Sequence, residues 1–176
     1  MLGGVFQRGF PLQKKMELPR SIWNWSADEE KATLSEIYEY FRNSWDLIKD
    51  KTPDNPDLIL VGTGISRLDI PALFIRSVLH KIDSEPVLYE TYFKTKIVDL
   101  GDVGIGLFKP DPRFYGIYPK TTNALMWRLK IPSHKQTGKS VWDMYEAKEY
   151  DAIKERTLSE VDATVKMATL IAEGRF

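Results

Sequence analysis

The stretch from Leu58 to Ile82 constrains the fold most. Leu58-Ile59-Leu60-Val61 is an unbroken apolar run that stops at Gly62-Thr63-Gly64. Such a run suits a short strand covered on both faces of a sheet. A helix is expected next, from about Asp69 to Ile82, with Pro71 near its first turn, where proline is tolerated. The unit therefore reads strand, glycine turn, helix, with Asp69 at the mouth of the turn. In an open α/β sheet, ligands gather at the carboxyl ends of strands, so Asp69 stands where chemistry can use it, while its plain role is the N-cap of the helix, which aspartate favours.

Elements before and after extend the pattern. Ser26 with Glu29 three residues on is a capping-box sequence. Leu34, Ile37, Tyr38, Phe41, Trp45 and Ile48 then recur at helical spacing, opposite Glu30, Lys31, Glu39 and Arg42. Pro53 and Pro56 stop that helix. Ile97-Val98-Asp99-Leu100 reads as a second strand closed by Gly101-Asp102, and Asp99 in it as a structural residue paired with a nearby backbone group or cation. Residues 101–120, rich in Gly, Pro and Tyr, read as a long loop. Helices are expected from about Thr122 to Lys130, from Ser140, and from Thr157, where Thr157 and Glu160 repeat the capping-box spacing. Val161, Val165, Ala168 and Ile171 or Ala172 give the last one an apolar face. Helices alternating with apolar strands imply an α/β layered domain.

Length and composition set limits. A chain of 176 residues suits one domain. With no cysteine there is no disulfide, thiolate metal site or cysteine nucleophile. No apolar run approaches the ~20 residues of a membrane span, and the first residues lack the apolar core of a secretion signal. A cytoplasmic location and no membrane partner are the expectation. Lys plus Arg and Asp plus Glu number 25 each, so nucleic-acid binding needs a local basic surface.

Several motifs fail on inspection. Gly138-Lys139-Ser140 looks like the end of a phosphate-binding loop, but Ser133 stands where that loop requires glycine. Gly62-Thr63-Gly64 begins a dinucleotide fingerprint that breaks at Arg67. His80 and His134, the two histidines, lack metal-ligand spacing. There is no Gly-x-Ser-x-Gly elbow for a serine hydrolase.

Two features remain. Asp162 lies one position off the Val161–Val165 stripe, at the boundary between core and solvent. Its plain role is an ion pair with Lys166, four residues on. Residues 120–140 hold Lys120, Arg128, Lys130, Lys135 and Lys139 with His134 and no acid, and Trp127 sits among them. Basic groups with an interleaved aromatic suit single-stranded nucleic acid, through phosphate contacts and base stacking. The plain alternatives are a solvated basic loop and a Trp127 packed into the core.

The order of segments resembles the 3′–5′ exonuclease domain of family B DNA polymerases and its stand-alone relatives, DEDD-type nucleases of the ribonuclease H-like superfamily. The matching pieces are an acidic helix from Glu29 to Leu47, Pro56-Asp57 before the strand Leu58–Val61, Gly62, and Asp69-Ile70-Pro71-Ala72-Leu73. Val98-Asp99-Leu100, a short helix Ala124–Leu129, Gly138-Lys139-Ser140-Val141 and Asp162 follow in order. The resemblance covers roughly residues 26–172. It implies a ribonuclease H-like α/β fold with a mixed central sheet flanked by helices. It also implies single-stranded DNA or RNA as substrate, and Asp69 and Asp162 as catalytic carboxylates and ligands of Mg²⁺ or Mn²⁺. In that chemistry four acids hold two ions about 4 Å apart, which activate water and stabilise charge on the scissile phosphate.

The chain departs from that pattern. No Asp-x-Glu precedes Asp28. Gly64 stands for an asparagine, Leu68 for an aromatic, and Leu158 for the tyrosine that orients the water; Thr157 stands at the alternative histidine position. Asp69 and Asp162 alone survive of the four carboxylates, and two close divalent ions repel strongly without the others. The missing pair belongs to a first, central strand, either lost or lying before Met1. Leu2–Phe6 and Ser21–Trp25 would then be the second and third strands. The expectation is an exonuclease-like protein with an incomplete two-metal site, or a catalytically inactive relative that binds nucleic acid, a protein partner or a second copy. For the chain as written, the residues favour the inactive relative, because a metal site needs its full ligand count.

Overall fold

The computed structural model describes residues 3–26, 29–54, 56–107, 122–132 and 139–175. In chain order the elements are β1 (Gly3–Phe6), β2 (Gly9–Phe10), β3 (Lys15–Met16), β4 (Arg20–Trp23), α1 (Glu30–Lys51), β5 (Ile59–Gly62) and α2 (Asp69–Leu79). Then come α3 (Glu85–Phe93), β6 (Lys96–Asp99), α4 (Leu100–Leu107), α5 (Thr122–Arg128), α6 (Lys139–Glu146) and α7 (Tyr150–Ala172). The chain is mixed α/β. Among the described residues the strands pair as β1–β4, β2–β3 and β5–β6. β2 and β3 are antiparallel; β5 and β6 are parallel, with Gly62 opposite Asp99. The chain divides into two compact units, Met1–Gly4 with Ile22–Asp99, and Val5–Ser21 with Leu100–Phe176.

In the first unit α1, α2 and α3 pack on one another. Leu34 and Ile37 of α1, Leu73 of α2, and Leu88 and Tyr92 of α3 are buried. Phe41 meets Tyr92 edge to face at 5.2 Å, a geometry aromatic pairs favour. The buried Tyr92 hydroxyl finds Ser77 Oγ at 3.3 Å, and Trp45 Nε1 donates to the Thr91 carbonyl at 3.1 Å. At the solvent edge Arg76 of α2 grips Glu30 of α1, and His80 Nε2 lies 3.1 Å from the same carboxylate. Gly3 holds β1 against β4: a Cβ there would lie 2.1 Å from the Ile22 carbonyl oxygen.

In the second unit α6 packs on α7, α4 on α5, and the 3₁₀ turn Pro11–Gln13 lies against α7. Its buried apolar residues are Leu100, Leu125, Met126, Leu129, Ile153, Ala163 and Met167.

Four helices end in the same way, and α7 does so with Gly174 N–H on Ile171 O and Arg175 N–H on Leu170 O. After α2, Lys81 N–H reaches Val78 O while Ile82 N–H reaches Ser77 O. After α5, Lys130 reaches Trp127 and Ile131 reaches Met126; after α6, Lys148 reaches Tyr145 and Glu149 reaches Met144. These paired bonds satisfy carbonyls orphaned at the helix ends and need a left-handed residue, usually glycine. Glycine fills the position after α7, at φ 66°, whereas lysine fills it after α2, α5 and α6, at φ 53°, 55° and 59°.

The structure corrects several expectations. α1 begins at Glu30, and Ser26 instead closes the 3₁₀ turn Asn24–Ser26, so that capping box does not cap α1. α7 begins at Tyr150, not at Thr157. Thr157 is mid-helix, and its hydroxyl donates back to the Ile153 carbonyl at 2.8 Å. The fully buried α7 residues are Ile153, Ala163 and Met167, whereas Val161, Val165, Ala168 and Ile171 of the expected stripe are half-buried. Residues 100–107 form α4 and not loop; the rest of the expected loop, 108–120, lies outside the described residues. β5 is not covered on both faces: Ile59 is 54% and Val61 38% exposed.

Candidate functional site

The β5–α2 turn is built by two constraints. Gly64 takes φ +76°, a left-handed conformation that L side chains rarely adopt. The other constraint is Asp99, a largely buried residue at the end of the neighbouring parallel strand. Its Oδ1 accepts the Gly64 N–H at 3.0 Å, and its Oδ2 accepts the Ser66 hydroxyl at 3.0 Å and the Ser66 N–H at 3.5 Å. Buried carboxylates persist when they are hydrogen-bonded in this way. The backbone partner expected for Asp99 is therefore this turn.

Asp69 is the first residue of α2 and is exposed. It does not serve as the N-cap: Leu68 precedes the helix, and no side chain caps it. A carboxylate in the first turn still complements the helix dipole. Asp162 lies on α7 in the second unit, 63% exposed, with Lys166 Nζ at 2.5 Å. Its ion pair is thus the plain i,i+4 one. Among the described residues no group of three or more His, Asp and Glu gathers as a metal cage, and Asp69 and Asp162 by themselves fall short of the donor set of a two-ion site.

The basic segment fares differently. Trp127 is 63% exposed, so it is not a core residue; Leu125, Met126 and Leu129 fill the interior instead. A seven-residue helix buries one narrow side, and three neighbours already occupy it. Lys130 is exposed, and its backbone N–H bonds the Trp127 carbonyl at 3.1 Å, so the turn ending α5 ties the two residues together. Arg128 is half-buried between them. Lys135 and His134 lie outside the described residues, and Lys139 opens α6.

Two further clusters form in the fold. Glu30, Arg76 and His80 meet at the α1–α2 seam, where the Arg76 hydrogen bonds hold the Glu30 carboxyl down to about 2 against the opposing effect of burial; His80 adds to the lowering. Trp142, Tyr145 and Tyr150 form a chain of rings across the α6–α7 turn, 6.4 Å and 5.8 Å between centroids, with Trp142 59% exposed. The signal for the second cluster was the Trp-x-x-Tyr spacing, which puts both rings on one helix face.

No helix among the described residues is long and apolar enough to cross a membrane. No family model, curated protein or solved structure matches the chain.

Proposed function

We propose that this chain is a single-stranded nucleic-acid-binding module on a ribonuclease H-like, exonuclease-like α/β scaffold. One observation carries the reading: Trp127 is solvent-exposed beside Arg128 and Lys130, in the segment 120–140 that holds basic residues and no acid. An exposed indole offers a face on which any base stacks, and flanking cations follow the phosphates. The acid-free stretch gives a neutral chain the local positive surface that nucleic acid requires.

The test is binding of fluorescent oligo-dT and oligo-U at low and moderate salt. Affinity should fall as salt rises, with a slope of about −0.7 per phosphate neutralised. Trp127→Ala should weaken binding about 5- to 150-fold, the range of a lost base stack of ~1–3 kcal/mol. Lys130→Gln should flatten the salt dependence. Salt-independent affinity, or a Trp127→Ala variant that binds as the parent does, would overturn the reading.

A metal-dependent 3′–5′ exonuclease is the second reading, favoured by the exposed Asp69 at the carboxyl end of β5. Its test is degradation of single strands with Mg²⁺ or Mn²⁺, from the 3′ end and abolished by Asp69→Ala. Calorimetry that detects no heat with Mn²⁺ would count against it.

A further inference from the structure

Trp127 and Trp142 are the two tryptophans with more than half their surface exposed, and their surroundings carry opposite charge. Around Trp142 the sequence holds the acids Asp143, Glu146, Glu149 and Asp151 against the cations Lys139, Lys148 and Lys154, an excess of one negative charge that lies toward the Glu146–Glu149 end. Lys154 Nζ lies 3.4 Å from Asp151 and is thereby partly neutralised. Glu146 shares the face of Trp142 through i,i+4 spacing and is exposed, as is Glu149 at the start of α7. The turn at Lys148, closed by its N–H on Tyr145 and by Glu149 N–H on Met144, folds Tyr150 back onto Tyr145. The result is a row of three rings bordered by carboxylates.

An exposed indole with adjacent carboxylates is not a nucleic-acid surface, because the phosphates would be repelled. Its chemistry suits a cation. A guanidinium over the indole face gains the attraction of the ring quadrupole, and a carboxylate at the rim satisfies its N–H donors. We propose that the Trp142–Tyr145–Tyr150 face docks a basic peptide segment of a partner protein, with an arginine stacked on Trp142 and paired to Glu146. The charge complementarity selects this occupant over an acidic or neutral one. The proposal rests on Trp142, Tyr145, Tyr150 and Glu146 and not on Trp127, Arg128 or Lys130; Lys139 of the basic segment stands at the opposite end of α6 from Glu146.

The experiment uses the full chain and a labelled arginine- and glycine-containing octapeptide, with the glutamate counterpart as control, followed by fluorescence anisotropy. The arginine peptide should bind and the glutamate peptide should not. Trp142→Ala should weaken binding about fivefold or more, in line with a partly exposed cation–π contact. Glu146→Gln should weaken it about two- to fivefold and flatten its salt dependence. Trp127→Ala should leave it unchanged. Because Trp142 is exposed, Trp142→Ala should keep the parent circular dichroism, and Glu146→Gln provides a second variant with no loss of volume. Equal binding by parent and Trp142→Ala would overturn the proposal. So would equal binding of the glutamate peptide. A concentration-dependent dimer that Trp142→Ala abolishes, seen by ultracentrifugation, would instead assign the face to a second copy and overturn the peptide partner.

Discussion

Asp99 and Gly64 are joined by a 3.0 Å hydrogen bond from the Gly64 N–H to the Asp99 carboxylate, which ties the end of β6 to the turn that launches α2. The second oxygen of the same carboxylate serves Ser66. Both acceptors are therefore used, and no neutral side chain replaces both. Asp99→Ala should cost about 1–3 kcal/mol, because it removes charge-assisted hydrogen bonds from the part-buried Gly64 and Ser66 donors. Asp99→Asn keeps one acceptor but aims an amide N–H at a donor, and should cost about 1–2 kcal/mol. Urea unfolding gives both values. Amide exchange at Gly64 and Ser66 should quicken in each variant before the rest of the first unit responds.

The Glu30–Arg76 contact makes a pH prediction. The Glu30 carboxyl is lowered from 4.5 to about 2 in the folded chain, chiefly by Arg76. A depressed folded value means that the stabilisation is present above the unfolded value and is lost as pH falls through the folded one. Stability should thus decline between about pH 4.5 and pH 2. Arg76→Met should flatten that stretch of the curve. A parent and a variant with superimposable pH profiles would rule out Glu30 as its source.

The parts legible in the sequence were those whose signal is local. β5, α2 and β6 lie within a residue or three of their expected bounds, since an apolar run, a glycine turn and a helical repeat each leave a short-range mark. α3 left none of the usual kind. Glu85–Phe93 carries apolar residues all round, and no stripe stands out; Ser84 before Pro86 was the available clue, a helix-start pairing. The start of α7 is masked in the sequence because Thr157 and Glu160 copy a capping box in mid-helix, where the threonine hydroxyl bonds backward to Ile153 instead. Residue type alone leaves Trp127 open between a core position and a surface one. Its exposure follows from which side of a short helix Leu125, Met126 and Leu129 fill, and that depends on neighbours remote in sequence.

The lysine helix ends predict a gain rather than a loss. Lys81 sits at φ 53°, a conformation that costs an L residue about 1 kcal/mol and glycine almost nothing. Lys81→Gly should therefore stabilise the chain by ~0.5–1 kcal/mol, despite the added freedom of the unfolded state. Lys94, at the end of α3, is the control, because its φ is −77°. Glycine there relieves no strain and should destabilise slightly. Thermal unfolding of the two variants should move the midpoint in opposite directions.

Asp162 separates the binding reading from the catalytic one. Its carboxylate and the Lys166 ammonium are both mostly exposed, at 63% and 59%, so the pair gains little over hydration. Asp162→Asn should change stability by no more than about 0.5 kcal/mol, the usual worth of an exposed i,i+4 pair. If the chain only binds single strands through the Trp127 surface, the variant should retain parental affinity within twofold, with or without Mn²⁺. A carboxylate that holds an ion against a phosphate behaves otherwise: its loss removes the metal-dependent part of binding and any cleavage with it. Titrating oligo-dT into parent and Asp162→Asn, each with Mn²⁺ and with chelator, therefore distinguishes the two. Parity in all four measurements assigns Asp162 to its ion pair, whereas a Mn²⁺-dependent gap between the proteins assigns it to a metal site.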